Sequence, residues 1–360
     1  MKKNLSSIEL HFLLPELKQL VDQRIDKIYH PTKQELVIQF HVTGKGKRIL
    51  RLIAGKFIYF TQSKEPADNP SGFCMFLRKH LSNARLKSVH QLESERIVQF
   101  TFENKEGAKN LMVELFSEGN FIVTDDKNII LSAIEFHTWK DREVRVRLPY
   151  EYPKRKYNIF QLAPDDLKDV LENSSKENTV KALAVDLGFG GTYSEEICLI
   201  ADIDKNKKPD AKDAPKLCKA VSELLTRKMH PMIVDEDVVP IELAVYTSPQ
   251  QEFPTYSEAL DAYLTQFKDF KKSPKEKQME KLSRIIETQK KKIGELGQQE
   301  LGVRAIGEQI YQNYALIAEI LTEVNKASEK HSWKEIQEKL KGHKIIKSIN
   351  TKDKKAMVEI

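Results

Sequence analysis

Cysteine is scarce in this 360-residue sequence, and its shortage excludes two kinds of protein. The three cysteines, Cys74, Cys198 and Cys218, are an odd number without metal-ligand spacing, so we expect neither a disulfide framework nor a cysteine metal site. Long apolar runs are also missing, and Pro15 with flanking charges interrupts the N-terminal pattern before a signal-peptide core forms. We therefore predict a cytoplasmic protein without a membrane partner.

The sequence also lacks the local signatures of common enzyme classes. It has no G-x-x-x-x-G-K-[ST] phosphate loop, no H-E-x-x-H zinc motif and no G-x-S-x-G nucleophile turn, and its nine histidines are scattered. A glycine-rich segment occurs at 188–191, but a helical pattern precedes it where a dinucleotide fingerprint requires a strand. We predict no catalytic residue, no metal ligand and no cofactor. The expected protein is a nucleic-acid or ribonucleoprotein binding scaffold and not an enzyme.

Positive charge is concentrated at the two ends of the chain. Residues 1–160 contain 27 lysines and arginines against 19 aspartates and glutamates, and residues 265–360 contain 21 against 14. Residues 161–264 reverse the balance, with 11 basic and 20 acidic side chains. This distribution indicates polyanion contacts at both ends and a different use of the middle.

Hydrophobic periodicity predicts an α+β protein of four segments. Residues 1–155 carry many short β-prone runs and two amphipathic helices, which indicates a β-rich N-terminal domain. A linker rich in proline, tyrosine and lysine leads into residues 156–255, where several short helices precede an extended exit. One long helix is predicted for residues 256–335, and two strands are predicted within residues 336–360.

The predicted long helix has the spacing of a coiled coil. A heptad register from Met279 to Val324 places apolar side chains at eleven of its fourteen seam positions. Two interpretations remain open, because the helix can pair with a second helix or pack along its own globular core. No comparable apolar segment follows it, so we expect the first helix of an antiparallel hairpin in a chain that stops before the returning helix.

The glycine-rich segment is the most specific local motif. Gly188, Gly190 and Gly191 separate two helical patterns, which is typical of a helix-hairpin-helix. In such a motif the second helix presents backbone N–H groups and the positive end of its dipole to phosphate, without reading base sequence. The alternative is that the glycines only let two packing helices turn, because the two glutamates that follow would repel a phosphate.

Two groups of charged residues are further candidates for nucleic-acid contact. Arg78, Lys79 and His80 end the second predicted helix, where cations either meet phosphates or stabilise the helix dipole. Glu95 and Arg96 open a predicted strand, where the guanidinium can clamp a phosphate or a base edge while the carboxylate orients it. An intramolecular ion pair is the alternative for this second group.

Four motifs occur in an order that resembles the NFACT family of ribosome-associated quality-control factors. They are Arg24–Tyr29, Phe73–His80, Glu114-Leu115 followed by Asn120–Asp125, and Leu187–Glu196. The resemblance covers nearly the whole chain, and the residues of the last motif are similar to those of the archaeal branch of the family. It implies an N-terminal domain like that of formamidopyrimidine-DNA glycosylases, a helix-hairpin-helix domain, a long coiled coil, and an NFACT-R domain beyond these 360 residues.

The same resemblance implies a function and partners. Family members bind a large ribosomal subunit that holds an obstructed peptidyl-tRNA nascent chain, reach toward its stalk base with the coiled coil, and recruit tRNA, chiefly alanyl-tRNA, for tailing without mRNA. The ribosome forms the peptide bonds, so the family member is an adaptor.

Two acidic positions of the family carry over with a change. The family's acid–arginine pair aligns with Glu95 and Arg96, and its N-terminal acid aligns with Glu9, so both acids are glutamate where aspartate is usual. The alternative function is a glycosylase-type nucleic-acid-processing protein. That chemistry uses an N-terminal proline, whereas this sequence begins Met1-Lys2-Lys3.

Overall fold

Two units make up the chain, Met1–Phe270 and Lys271–Ile360. The structure is a computed structural model, and it describes residues 2–42, 44, 46–63, 70–139, 142–247, 250–266, 274–341, 345–350 and 355–359. The first unit contains the predicted β-rich and helical segments, and the second contains most of the predicted long helix.

Helix α1 (Ser7–Lys18) is buried on several faces within the first unit. The Ser6 hydroxyl accepts the Glu9 N–H at 3.2 Å and the Glu9 carboxylate accepts the Ser6 N–H at 2.7 Å, which forms a capping box. Leu10, Leu13 and Leu17 of α1 lie in one hydrophobic core, and Ile8 and Phe12 lie in a second. A helix that is apolar on most sides is therefore shared between two cores.

A nine-stranded antiparallel sheet surrounds the first core. Its strands are β1 (Arg24–Thr32), β2 (Glu35–Val42), β3 (Gly46–Ile53), β4 (Phe57–Thr61), β5 (Arg85–Gln91), β6 (Ile97–Asn104), β7 (Gly107–Glu114), β8 (Asn120–Asp125) and β9 (Ile130–Ala133). Helix α2 (Gly72–Leu81) lies between β4 and β5 in the chain, and the short pair β10 (His137–Thr138) and β11 (Glu143–Val144) follows β9. Each run that the sequence predicts as β-prone is thus a strand.

The sheet consists of two meanders joined at β1 and β5. Its strand order is β4-β3-β2-β1-β5-β6-β7-β8-β9, and Arg24 lies opposite Arg85 at the junction. The Gly55 N–H, between β3 and β4, donates to the Glu114 carbonyl at the end of β7 at 3.0 Å. Side chains of both meanders therefore share one core, in which the rings of Phe40 and Phe102 lie 6.5 Å apart.

The second core lies among short helices and one small sheet. These elements are α3 (Pro164–Asn173), α4 (Thr179–Lys181), a π-helical turn (Ala182–Asp186), α5 (Gly191–Ile200), a 3₁₀ turn (Ala211–Asp213), α6 (Ala214–Leu225), β12 (Met232–Val234), β13 (Asp237–Val239) and β14 (Gln250–Glu252). The three strands pair in the order β13-β12-β14. The predicted extended exit is therefore a small antiparallel sheet.

Helix α7 (Tyr256–Gln266) corrects the predicted start of the long helix. Glu16 of α1 accepts the N–H groups of Tyr256 at 2.6 Å and Ser257 at 3.1 Å, which fixes the N-terminus of α7. Tyr256 and Tyr263 are fully buried in the first core. Residues 256–266 thus form a separate core helix, because their apolar side chains pack against the sheet.

The second unit contains the remaining helices and a strand pair. These are α8 (Pro274–Gln312), α9 (Tyr314–Lys330), α10 (Trp333–Lys339), β15 (Ile346–Asn350) and β16 (Lys355–Val358). Val324, Ile336 and Ile346 form a small core here, and the two predicted strands pair antiparallel. By contrast, eight apolar seam residues, from Leu282 to Leu321, are 48–69% exposed. Pairing of this seam in a coiled coil stays a prediction.

Among the described residues, no helix is both long enough and apolar enough to cross a membrane.

Candidate nucleic-acid interface

The turn between β5 and β6 carries Glu95 and Arg96 and is fixed against the start of α1. The Ser7 hydroxyl of α1 donates to the Ser94 carbonyl at 2.6 Å. The Gln91 amide donates to the Ser7 hydroxyl at 2.9 Å and to the Glu95 carbonyl at 3.0 Å. Side-chain hydrogen bonds on both sides therefore hold the backbone of this turn in place.

Arg155, in the linker before α3, connects this turn to the glycine-rich segment. Its N–H donates to Glu95 Oε1 at 2.9 Å, and its Nε lies 3.8 Å from the same oxygen. Its Nη1 donates to the Leu187 carbonyl at 3.0 Å. Arg155 is not among the site residues predicted from the sequence, because a cation between Lys154 and Lys156 in a linker gives no signal of its contacts.

Arg96 is the unsatisfied member of what we call the open cluster, consisting of Glu95, Arg96 and Arg155. Its side chain is half-buried, and the structure gives it neither a hydrogen bond nor an ion pair with any described residue. Burial lowers the pKa of Arg96, and the like charge of Arg155 lowers it further. An unpaired guanidinium with its donors available suits a phosphate or carboxylate oxygen.

Glu95 does not neutralise the open cluster completely. Burial raises the pKa of Glu95, against the opposing effects of the Arg155 charge and the Arg155 N–H. The ion pair that sequence analysis considered as an alternative thus forms with Arg155 and not with Arg96. Two guanidinium groups lie in this cluster, and its one carboxylate is paired with Arg155, so the cluster is electrostatically suited to an anion.

The glycine-rich segment is a tight turn between two helical elements. The Phe189 and Gly190 N–H groups donate back to carbonyls of the π-helical turn at 3.3 Å, and α5 begins at Gly191. Leu187 and Phe189 are buried, whereas Gly190 and Gly191 are exposed. The turn therefore anchors its apolar side chains and exposes the backbone that precedes α5.

The two glutamates after the glycines are both paired within the protein. Glu196 is fully buried and accepts from Arg227 Nη1 at 2.6 Å and from the Val245 N–H at 3.1 Å. Glu195 lies 2.8 Å from Lys205 Nζ. Because both carboxylates have cationic partners, the repulsion of phosphate that argued against the helix-hairpin-helix interpretation is weakened.

Glu9 belongs to a second group, which we call the closed cluster, consisting of Lys2, Glu9, Tyr193, Asp237 and Tyr246. Lys2 Nζ lies 2.5 Å from Glu9 Oε1 and 2.7 Å from Asp237 Oδ1. The Tyr193 hydroxyl donates to Glu9 at 3.0 Å, and the Tyr246 hydroxyl donates to Asp237 at 2.7 Å. The Glu9 side chain is only 2% exposed. Its carboxylate thus contacts other protein groups and is not exposed at the surface.

Arg78, Lys79 and His80 lie in a different place. Arg78 Nε donates to the Ile28 carbonyl at 2.9 Å, and His80 Nδ1 lies 3.3 Å from Glu106 Oε2. The His80 carbonyl accepts from Asn104, at the opposite end of β6 from Arg96. Eight residues of strand at about 3.3 Å each separate the two groups by roughly 26 Å. The structure therefore brings Glu95, Arg96 and Gly188 together, and places the α2 cations apart from them.

Comparison with known proteins gives relatives over nearly the whole chain. The family model described as NFACT N-terminal and middle domains matches residues 6–357. The archaeal Rqc2 homolog aRqcH of Methanocaldococcus jannaschii is 30% identical over 382 residues, covering 97% of this chain and 57% of that protein. The ribosome quality control complex subunit NEMF of Mus musculus is 25% identical over 379 residues, covering 93% of this chain and 36% of that protein. The chain thus spans little more than half of the length of the archaeal relative and about a third of the length of the mouse relative.

Solved structures share the fold of most of the chain. The N-terminal part of the fibronectin/fibrinogen-binding protein from Streptococcus suis superposes with a TM-score of 0.60 at 25% identity, covering 73% of this chain and 100% of that one. The fibrinogen binding protein from Staphylococcus aureus gives a TM-score of 0.59 at 17% identity, covering 72% of this chain and 98% of that one.

Proposed function

The chain belongs to the NFACT family, and from this premise we propose that it acts in ribosome quality control. It would bind a large ribosomal subunit that still holds an obstructed peptidyl-tRNA nascent chain. Relatives named Rqc2 homolog and ribosome quality control complex subunit support this assignment. In this role the protein is an adaptor and not an enzyme, because the ribosome itself forms peptide bonds.

The finer proposal is that the protein recruits tRNA, chiefly alanyl-tRNA, for mRNA-independent tailing. The observation that carries it is the unpaired, half-buried guanidinium of Arg96 in the open cluster, whose Arg155 hydrogen-bonds to the glycine-rich turn. This pairing of a free cation with an exposed helix start is suited to a phosphate backbone. In this interpretation residues 179–200 act as a helix-hairpin-helix, and the helices of the second unit form half of a coiled coil that reaches toward the stalk base.

The ribosomal part of the proposal is tested by co-sedimentation of the full chain with purified large subunits. We expect binding to subunits that carry peptidyl-tRNA, and weaker binding to empty ones. Equal absence of binding to both would contradict the proposed function. No observation in the structure or among the relatives favours the glycosylase-type alternative, whose signature would be base release from a damaged duplex.

The tRNA part is tested by fluorescence anisotropy with bulk tRNA over a series of salt concentrations. Arg96→Ala is expected to weaken binding about tenfold and to reduce the salt slope by about one, since one phosphate contact is lost. The matched control is Arg145→Ala, which removes a 74% exposed cation directly after strand β11. If the two variants bind tRNA equally well, Arg96 has no special role in binding.

A further inference from the structure

Arg155 is the one residue among the described chain that contacts both the Glu95 carboxylate and the backbone of the glycine-rich turn. Its hydrogen bonds join it to Glu95, 60 positions earlier, and to Leu187, 32 positions later. The first contact uses the backbone N–H and the second uses the end of the guanidinium. A change at this side chain therefore removes the hydrogen bond to Leu187 and the 3.8 Å approach of Nε to Glu95 Oε1, whereas the backbone N–H that donates to Glu95 remains.

The contact with Glu95 determines what remains for Arg96. Glu95 is the neighbour of Arg96 in sequence, and its Oε1 already accepts the backbone N–H of Arg155 at 2.9 Å and lies 3.8 Å from Arg155 Nε. Arg96 consequently has no hydrogen-bonded carboxylate among the described residues. Without the Arg155 guanidinium, Glu95 keeps the backbone N–H as a donor but loses its ion-pair partner. Its carboxylate then becomes an acceptor for Arg96, and an internal ion pair replaces an available guanidinium.

Gly188 shows that the position of Arg155 depends on the glycine-rich turn. Gly188 has a φ of +77°, and a Cβ built there would lie 1.3 Å from Nη1 and 2.2 Å from Cζ of Arg155. The guanidinium thus occupies the space that any other side chain at residue 188 would fill. The positive φ and the closeness of Arg155 therefore both favour glycine at residue 188, and the second of these is not visible in the sequence.

We propose that Arg155 is a positioning residue, which engages Glu95 and docks on Gly188 so that Arg96 stays available for a phosphate of RNA. This inference rests on the proposed function, since it assigns the tRNA contact to Arg96. Arg155 acts through Arg96, because it occupies the Glu95 carboxylate that Arg96 would otherwise pair with. Substitution of a positioning residue should therefore change RNA affinity only when the group that it positions, here Arg96, is present.

The test is a double-mutant cycle on the full chain, with bulk tRNA as the probe and anisotropy as the readout. We expect Arg155→Ala to weaken binding about fivefold to tenfold in the wild-type background. In the Arg96→Ala background the same substitution should change binding less than twofold. Additive losses would mean that Arg155 contacts RNA directly, which overturns the proposal. If Arg96→Ala binds tRNA as tightly as the wild type, the proposed tRNA site is wrong. If Arg96→Ala weakens binding but Arg155→Ala binds as tightly as the wild type, only the positioning role of Arg155 is wrong.

A second cycle keeps the test valid if Arg155→Ala perturbs folding. Gly188→Ala is expected to displace the guanidinium and weaken binding to the same extent, with no further loss when combined with Arg155→Ala. Gly190→Ala is the matched variant, because its φ of +80° is similarly strained but no atom lies within 4 Å of the added Cβ. Its effect should add fully to that of Arg155→Ala. Equal coupling of Arg155 to both glycines would contradict the docking of Arg155 on Gly188.

Discussion

Glu9 of the closed cluster lies in the first turn of α1, and the turn that carries Glu95 and Arg96 of the open cluster is hydrogen-bonded to Ser7 of the same helix, but the two clusters differ in how their charges are satisfied. In the closed cluster, Lys2 has two carboxylate partners within 2.7 Å. In the open cluster, Arg96 has no partner among the described residues. Similar side chains near one helix end are thus used in two ways: one set is saturated within the protein, and the other has donors available for a ligand.

The directions of the pKa shifts express the same difference. Burial opposes the charge of Lys2 and of Asp237, yet their mutual attraction outweighs it, so the pKa of Lys2 is raised and that of Asp237 is lowered. In the open cluster burial prevails, so the pKa of Glu95 is raised and that of Arg96 is lowered. The fold therefore favours the charged forms of Lys2 and Asp237 and disfavours those of Glu95 and Arg96, where an added anion would compensate Arg96.

The largest predicted effect is the loss of stability on breaking the closed cluster. Glu9→Ala leaves the Tyr193 hydroxyl and the Ser6 N–H without their acceptor and removes one partner of Lys2. Removing one member of a buried ion pair costs about 3–5 kcal/mol. Urea unfolding should show that decrease in the free energy of unfolding. Glu195→Ala, which breaks an exposed 2.8 Å ion pair with Lys205, is the control and should have little effect.

A smaller effect is predicted for Asp237→Asn, mainly in acid. The lowered pKa of Asp237 means that its contribution to stability is present above the unfolded value of about 3.9 and is lost as the pH falls through the folded value. The variant should lose about 1–3 kcal/mol at neutral pH, the cost of an impaired charged hydrogen bond. Its stability should also depend less on pH below about 4. The measurement is urea unfolding at a series of pH values. If the free energy of unfolding falls with decreasing pH below about 4 as steeply in the variant as in the wild type, this account is contradicted.

Arg96→Ala should separate binding from stability. Because the Arg96 side chain makes no hydrogen bond or ion pair with the described residues, its removal should change the free energy of unfolding by less than about 0.5 kcal/mol. The same variant should bind tRNA about tenfold more weakly, which corresponds to about 1.4 kcal/mol. A loss of stability comparable to that of Glu9→Ala would place Arg96 with the closed cluster and contradict the distinction.

Local patterns in the sequence predict the elements of this fold better than their contacts. The short β-prone runs predicted within residues 1–155 are an example, because that part of the chain forms a nine-stranded antiparallel sheet. The assignment of residues 256–266 to the long helix was wrong, because the helical spacing of Tyr256 and Tyr263 is the same for a core helix and a rod. Only the tertiary contact with Glu16 distinguishes the two.

The candidate site shows the same limit. Glu95, Arg96 and Gly188 are recognisable from local patterns and from the family resemblance, but nothing local indicates that they converge. The contact between Lys2 and Asp237 joins residues 235 positions apart, so no spacing rule can reveal that Glu9 lies in a saturated interior cluster. Long-range charge pairing is decided by the packing of the cores, and sequence periodicity does not encode it.

The smallest predicted effect is that of Glu95→Gln on the free energy of unfolding. Its sign distinguishes the two clusters, because the substitution should not destabilise the protein. The raised pKa of Glu95 means that the folded protein favours its protonated form, so the contribution of this group to stability falls as the pH rises above about 4.3. Glutamine imitates that neutral form and still offers an oxygen to the Arg155 N–H. The free energy of unfolding at pH 7 should therefore stay equal or rise by less than about 1 kcal/mol, and it should vary less between pH 4 and pH 7. Thermal unfolding across that range measures both quantities. Neutralising the acid of the closed cluster destabilises the protein, whereas neutralising the acid of the open cluster should not; a loss above 1 kcal/mol for Glu95→Gln would show that the open cluster, too, is held together by its charges.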